Sequence, residues 1–234
     1  MKELSIIIPC HNEERNIPLI IKRFEDIKPK SLSLELRFVD NGSSDNTNKV
    51  IKKYMKKYDY ISITEVKINQ GYGFGIWCGL NEAKGKFLCW THGDMQTDVN
   101  DTIKAYNLIK KEKNFKNCFV KGKRIKRTLI ENFFSFGLSS FVSFIFLSKF
   151  IDIYAQPNLF HRSVLKKIRI PPKDGSFDLY FYFILKKMNY KFIRFSVLFP
   201  KRLHGESKLN SNLIIKFKLI KRLIGYTINL KKGI

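Results

Sequence analysis

Lys86-Phe87-Leu88-Cys89-Trp90-Thr91-His92-Gly93-Asp94-Met95-Gln96-Thr97-Asp98 is an apolar run that stops in a short acidic cluster. A buried strand ending in carboxylates is a place to hold a divalent metal, because hard cations take one or two carboxylates together with the oxygens of a bound phosphate. In parallel sheets such ligands gather beyond the carboxyl ends of the strands. Asp94 is therefore the first candidate ligand. A Gly-Asp pair alone is also ordinary turn punctuation, so its meaning rests on the surrounding chain.

Upstream, strand and helix patterns alternate. Strands are expected over 4–8 (ending at Pro9), 34–39, 61–66 and 86–90, with helices near 17–26, 46–57 and 74–83 between them. Repeated βα units predict an α/β fold with a parallel, doubly wound sheet and a site at the strand C-termini. The strand ends carry polar chemistry. Asp40 closes the second strand, where a carboxylate facing the crevice can accept from a nucleobase or ribose. Asn41-Gly42-Ser43-Ser44-Asp45 suits a turn and a helix N-cap. The glycines of 69–75, Gly71 among them, let backbone approach a phosphate without following dinucleotide or Walker spacing.

Composition narrows the function classes. A 234-residue chain that is 44% hydrophobic suits one sizeable domain, or a domain with an appendage, and excludes disorder. An excess of 44 Lys and Arg over 20 Asp and Glu, formally +24, implies phosphorylated substrates, an anionic membrane surface or a polyanion. No nucleic-acid motif accompanies the charge, so nucleic acid is not an expected partner. Cys10, Cys78, Cys89 and Cys118 form no CxxC pair, which fits reduced thiols with neither a zinc site nor a disulfide framework. Met1-Lys2-Glu3-Leu4 runs directly into Ser5-Ile6-Ile7-Ile8, too short for a signal h-region, so no export signal and a cytoplasmic location are expected.

Six segments in order resemble family 2 glycosyltransferases, especially the branch of polyprenyl-phosphate sugar synthases such as dolichol-phosphate mannose synthase. They are Ser5 through Glu14, Val39 through Asp45, Asn69 through Gly85, His92-Gly93-Asp94-Met95-Gln96 (like D-x-D-x-Q), Lys121-Gly122-Lys123-Arg124 (like G-x-R) and Arg202-Leu203-His204-Gly205-Glu206-Ser207-Lys208 (like R-x-x-G-E-S-K). The resemblance covers nearly the whole chain. It implies a GT-A nucleotide-diphospho-sugar transferase fold over 1–210, followed by a basic amphipathic C-terminal helix over 211–234. It implies transfer from a nucleotide-diphosphate sugar with inversion, aided by Mg²⁺ or Mn²⁺. Pro9, Asn12, Glu13, Asp40, Gly71 and Asp94 would then contact the nucleotide-sugar, and Asp94 and Gln96 the metal.

Two departures stand out. His92 replaces the leading Asp of D-x-D and is either a ligand better suited to Mn²⁺ than to Mg²⁺ or no ligand at all. Asn41 stands where the family often has Asp. Together they keep open a relative that binds nucleotide-sugar without turning it over. On the acceptor side, Arg124, Arg127, Arg202 and Lys208 fall in family-like phosphate positions, although a solvated basic surface is the better expectation for Arg127. Asp178 aligns loosely with an acidic position near the acceptor. A phosphate acceptor needs no base, whereas a glycan hydroxyl does, and Asp178 would be that base. Its plainer reading is a helix N-terminal charge. Gln156-Pro157-Asn158-Leu159-Phe160 departs from the small, Gly-containing segment of the lipid-phosphate branch, leaving a membrane-associated glycan as the alternative acceptor.

Membrane contact is expected at two places. Residues 132–148 are uncharged and rich in Phe but fall short of the roughly 20 residues of a span. With Ser135, Ser139 and Ser143 at i, i+4 spacing, the 131–148 stretch reads as a helix in the membrane interface or against the catalytic domain. Near the C-terminus, Leu213, Phe217, Ile220 and Ile224 keep helical spacing, with Lys218, Lys221 and Arg222 apart from them. That is the pattern of a basic amphipathic anchor on anionic lipid, peripheral on the inner membrane face.

Overall fold

The computed structural model describes residues 2–29, 31–200 and 213–232. One sheet holds β1 (Lys2–Cys10), β2 (Leu34–Asn41), β3 (Ile61–Val66), β4 (Gly85–Trp90), β5 (Cys118–Ile125), β6 (Asn158–His161) and β7 (Lys191–Leu198), in the order β3-β2-β1-β4-β6-β5-β7. Every pairing is parallel except those of β6, which runs against both β4 and β5. The helices are α1 (Asn16–Ile27), α2 (Thr47–Met55), α3 (Tyr72–Glu82), α4 (Asn100–Lys110), α5 (Leu129–Phe146), α6 (Phe177–Lys187) and α7 (Leu213–Lys232). The mostly parallel sheet flanked by helices is thus as expected.

Side-chain alternation divides the interior into two cores. Leu4, Ile6 and Ile8 of β1 join Ile20 and Phe24 of α1, Ile51 of α2 and Ile103 and Ile109 of α4 on one face. Ile7 turns the other way, to Ile76 and Leu80 of α3 and Phe177 and Phe181 of α6. Burial on both faces is why the strands read as unbroken apolar runs. The close seating of α3 requires Gly79, since a Cβ there would stand 2.5 Å from Val39 Cγ2 and 2.7 Å from Ile7 Cγ2. A third cluster joins α5, α6 and α7 through Val142, Leu179, Tyr182, Tyr226 and Leu230.

Pro9 does not end the first strand. The Ile7 carbonyl accepts from Thr91 N at 3.1 Å, on the β4 side. Pro9, two residues on, turns its backbone the same way, but pairing with β4 has stopped at Ile7–Trp90. Its missing N–H therefore costs no ladder bond. β1 continues beside β2 to the Cys10–Asp40 pair.

The opposite end of the sheet is pinned by a buried ionic cluster. Glu35 accepts from Ser5 Oγ at 2.5 Å, Ser62 Oγ at 2.9 Å, Lys84 N at 2.8 Å and Arg37 Nη2 at 2.6 Å. Arg37 also donates to Thr64 Oγ1 at 3.0 Å and Glu82 Oε2 at 2.9 Å. β1, β2, β3 and the α3–β4 turn are thereby joined. These donors, against the opposing effect of burial, hold the Glu35 carboxyl below its ordinary pKa. Its stabilising contribution is present above the ordinary carboxylate range and disappears as pH falls through the lowered value. Removing one partner strands a buried charge, so Arg37→Ala is expected to cost about 3–5 kcal/mol in urea-unfolding measurements.

Candidate active site

Beyond Trp90 the chain leaves the sheet and crosses the end of β1. Gly93 is pressed against that end, where a Cβ would meet Pro9 O at 2.8 Å. Met95 adopts φ 60°, an uncommon conformation for a non-glycine residue, and Gln96 N donates to Asp94 Oδ1 at 3.1 Å across the turn. His92, Asp94 and Gln96 line one cavity of about 480 Å³, and Asp94 is 4% exposed. The Gln96 amide nitrogen donates to Pro200 O at 3.2 Å.

The loops after β1 and β2 are stitched together beside this turn. Asp40 accepts from Ser43 N and Asn48 Nδ2, each at 3.0 Å. Asn12 N donates to Ser43 Oγ at 3.1 Å, and Asn12 Oδ1 accepts from Ser44 N at 2.8 Å. Glu13 N donates to Thr47 Oγ1 at 2.8 Å. Burial, and after it the charges of Glu13, Asp40, Asp45 and Asp94, push the Cys10 thiol well above its ordinary pKa. Gly71, at φ 110°, precedes α3, and a Cβ there would stand 2.5 Å from Lys173 O. Asn41 serves as a strap, its amide nitrogen donating to Gly71 O at 3.0 Å and approaching Asn69 Oδ1 at 3.4 Å. An aspartate could make neither donation.

Across the cavity, Arg124 forms an ion pair with Asp152, which also accepts from Arg124 N at 2.8 Å. Its guanidinium lies 5.1 Å from the centre of the Phe199 ring. Arg127 corrects the expectation of a solvated cation: it is half-buried in the cavity wall. Its Nη1 donates to Ser135 Oγ at 2.8 Å, and its Nε is buried without a hydrogen-bond partner. Burial first, then Arg124, lowers the Arg127 pKa. Arg202 and Lys208 lie outside the described residues.

Asp178 occupies the first turn of α6, as its plainer reading required, yet it is 2% exposed and lines the cavity floor. Its Oδ1 accepts from Trp90 Nε1 at 3.3 Å and Asn158 Nδ2 at 3.4 Å. Beneath it, fully buried Lys121 donates to Asn158 Oδ1 at 2.6 Å and Ala155 O at 2.7 Å, and burial pulls its pKa down to about 7. Burial raises the Asp178 pKa, with Lys121 and His92 opposing. Sequence reasoning missed Tyr72, Trp90, Lys121, Asp152, Tyr154 and Phe199. Trp90 was visible only as part of an apolar run, and nothing in the spacing ties Asp152 to Arg124.

Among the described residues, no three His, Cys, Asp or Glu groups converge as a ready-made metal cage. The single Asp94 carboxylate, with an imidazole and an amide on the same turn, instead suits a cation that takes most of its oxygens from a bound diphosphate.

Residues 5–188 match the model of glycosyl transferase family 2. A dolichyl-phosphate beta-glucosyltransferase of Trichomonas vaginalis is 27% identical over 59% of this chain and 47% of that protein. That of Dictyostelium discoideum is 25% identical over 80% of this chain and 63% of that protein. The chain therefore spans about half to two thirds of the length of these relatives. Among solved structures, glucosyl-3-phosphoglycerate synthase of Mycobacterium tuberculosis with Mn²⁺, UDP and phosphoglyceric acid superposes with a TM-score of 0.75 at 12% identity, covering 100% of this chain and 79% of that one. The fold is GT-A.

Asn41→Asp sets a carboxylate against the Gly71 carbonyl in place of a donor. The substitution is expected to destabilise the fold by about 1–3 kcal/mol, read from thermal or urea unfolding.

Proposed function

The chain belongs to glycosyl transferase family 2, and from that premise we propose that it moves a sugar from a nucleotide-diphosphate donor to a polyprenyl phosphate at a membrane surface. The observation that carries this reading is the build of the cavity. Asp94, Arg124 and Arg127 lie on its polar side, while Phe134 and Leu138 of α5 and Leu219, Ile220 and Leu223 of α7 form an apolar roof. An anionic head on a long apolar tail matches both. Both named relatives are, by name, dolichyl-phosphate glucosyltransferases.

The surface of α5 supports the membrane part of the reading. The stripe of Ser135, Ser139 and Ser143 faces the protein: Ser135 accepts from Arg127, Ser139 is buried, and Ser143 Oγ accepts from Phe150 N at 2.8 Å. Leu129, Ile130, Phe133, Phe136 and Phe144 face outward. A helix packed on a water-soluble domain shows the reverse arrangement. Among the described residues α5 alone is long and apolar enough to cross a bilayer, but its docked serine side favours a helix lying in the interface. Exposed Lys221 and Arg222 on α7 and the +24 excess suit anionic headgroups. The stripe on α7 has a second use, because Ile220 lines the cavity and Leu223 is buried against the domain. We assign the cytosolic face, where nucleotide-sugars are available.

In this reading Pro9, Asn12, Glu13, Asp40 and Gly71 hold the nucleotide. Asp94, flanked by Gln96 and His92, would hold Mg²⁺ or Mn²⁺, which supplies positive charge beside the departing diphosphate. Arg124 and Arg127 orient the acceptor phosphate, with Arg202 and Lys208 assigned to the same task from their motif. The acceptor oxygen is already anionic and attacks the anomeric carbon without a base. The bond to the diphosphate breaks on the opposite face, and configuration inverts. A glycan hydroxyl acceptor is the second reading, favoured by one observation: Asp178 is a buried carboxylate in the cavity lining, with its pKa raised by that burial.

Incubation with UDP- and GDP-sugars, undecaprenyl phosphate in detergent and either cation is expected to label the lipid. Asp94→Ala is expected to reduce labelling by about 100-fold or more. Arg127→Ala is expected to raise the KM for lipid phosphate by about 10-fold. With a glycan acceptor offered in a parallel incubation, label in the glycan only, abolished by Asp178→Asn, would establish the hydroxyl acceptor, and nucleotide binding without any product would indicate a non-catalytic relative. Replacing Phe133 and Phe136, each 74% exposed, by Ser is expected to weaken sedimentation with anionic vesicles while leaving the melting temperature unchanged.

A further inference from the structure

One wall of the cavity carries polar atoms that the phosphate chemistry above does not use. Asp178 Oδ2, Gln156 Oε1 and Tyr154 Oη are buried, have no hydrogen bond in the protein beyond the approach of the Tyr72 hydroxyl to the Asp178 carboxylate, and belong to residues that line the cavity. Gln156 is 1% exposed. Leaving such atoms unpaired is costly in a folded protein, so a group that pairs them is expected at sites that bind ligands.

The chemistry of the three atoms restricts that group. Two are acceptors and the third is a phenol that can donate or accept. A phosphate has no proton to offer the carboxylate and amide oxygens, and an isoprenoid tail has no polar atom at all. A ring bearing several hydroxyls answers all three. The anchors are also pre-set. Trp90 and Asn158 hold the other oxygen of Asp178. The Gln156 amide nitrogen is spent on the Tyr72 hydroxyl at 2.5 Å, which leaves its carbonyl for the cavity.

We propose that Tyr154, Gln156 and Asp178 form a sugar-hydroxyl subsite that selects a neutral, hydroxyl-bearing pyranose on the donor and disfavours a uronic acid. The inference rests on the glycosyltransferase reading and adds to it the chemical class of the transferred group. It also gives a use to Gln156, which stands in the segment where this chain departs from the lipid-phosphate branch. A phosphate acceptor needs no base, so Asp178 is available to read the sugar. Its carboxylate would repel a uronate carboxylate across a poorly solvated cavity.

Calorimetric titration of the full chain tests this without any acceptor. The probes are UDP-glucose, UDP-galactose, UDP-N-acetylglucosamine, UDP-glucuronate and GDP-mannose, with bare UDP and GDP as references and Mn²⁺ present. For at least one neutral nucleotide-sugar, Tyr154→Phe and Gln156→Leu are each expected to raise Kd by about 10-fold, the scale of one buried hydrogen bond. Binding of the corresponding bare nucleotide is expected to stay unchanged, and UDP-glucuronate to bind more weakly than UDP-glucose. Equal weakening of nucleotide and nucleotide-sugar would reveal a merely structural role and overturn the subsite, as would indifference of every nucleotide-sugar to both variants. If no probe binds the wild-type protein, the glycosyltransferase reading and the subsite fail together. Binding that responds as expected, with no lipid labelled, removes only the polyprenyl-phosphate acceptor.

Discussion

The parting of β1 and β4 is the constraint on which the rest of the site depends. The two strands pair as far as Ile7 and Trp90, after which β1 stays with β2 to the Cys10–Asp40 pair while β4 turns away. A parallel sheet opens a crevice beyond its strand ends where the strand order reverses, here between β1, with β2 and β3 to one side, and β4 on the other. Here the opening receives the Asp94 turn from one side and the loops holding Asn12 and Asp40 from the other. Pro9 fits at the opening because its backbone has lost its neighbour there.

Trp90 extends this constraint across the molecule. Its ring packs edge-on against Phe160, Phe177 and Phe181, while its indole nitrogen reaches Asp178. One residue thus fixes the distance between the acidic turn that follows β4 and the floor supplied by α6. β6, the antiparallel strand, contributes Asn158 between them, and Lys121 of β5 supplies the compensating charge beneath. In this buried network Lys121 and Asp178 each favour the charged form of the other, while burial works against both charges.

The roof is built on a different principle. α5 starts at a Thr128–Glu131 capping box and turns Ser135, Ser139 and Ser143 inward, so hydrogen bonds join it to the fold while Phe133, Phe136 and Phe144 are left outside. The cavity therefore changes character over a short distance, from the Arg124–Asp152 pair and Arg127 to the apolar side chains of α5 and α7. A ligand that is anionic at one end and greasy at the other would meet matching chemistry along its length.

Much of this was legible in the chain itself. The βα alternation determined a parallel sheet because strands buried on both faces must be apolar throughout, and ordered local motifs placed Asp94, Asp40, Asn12 and Gly71 at strand ends. Local spacing carries that information because a strand end and the loop after it are one continuous segment. The partners of Arg124 and Asp178 were not legible, since Asp152, Trp90, Asn158 and Lys121 reach them only through sheet order and the antiparallel insertion of β6. The position of Arg127 was likewise decided by tertiary structure: its sequence surroundings read as basic surface, and the packing of α5 turned it into a cavity wall. Composition gave α5 its apolar residues and a serine stripe, and only its docking decided that the serines and Val142 meet the protein while Phe133, Phe136 and Phe144 stay outside.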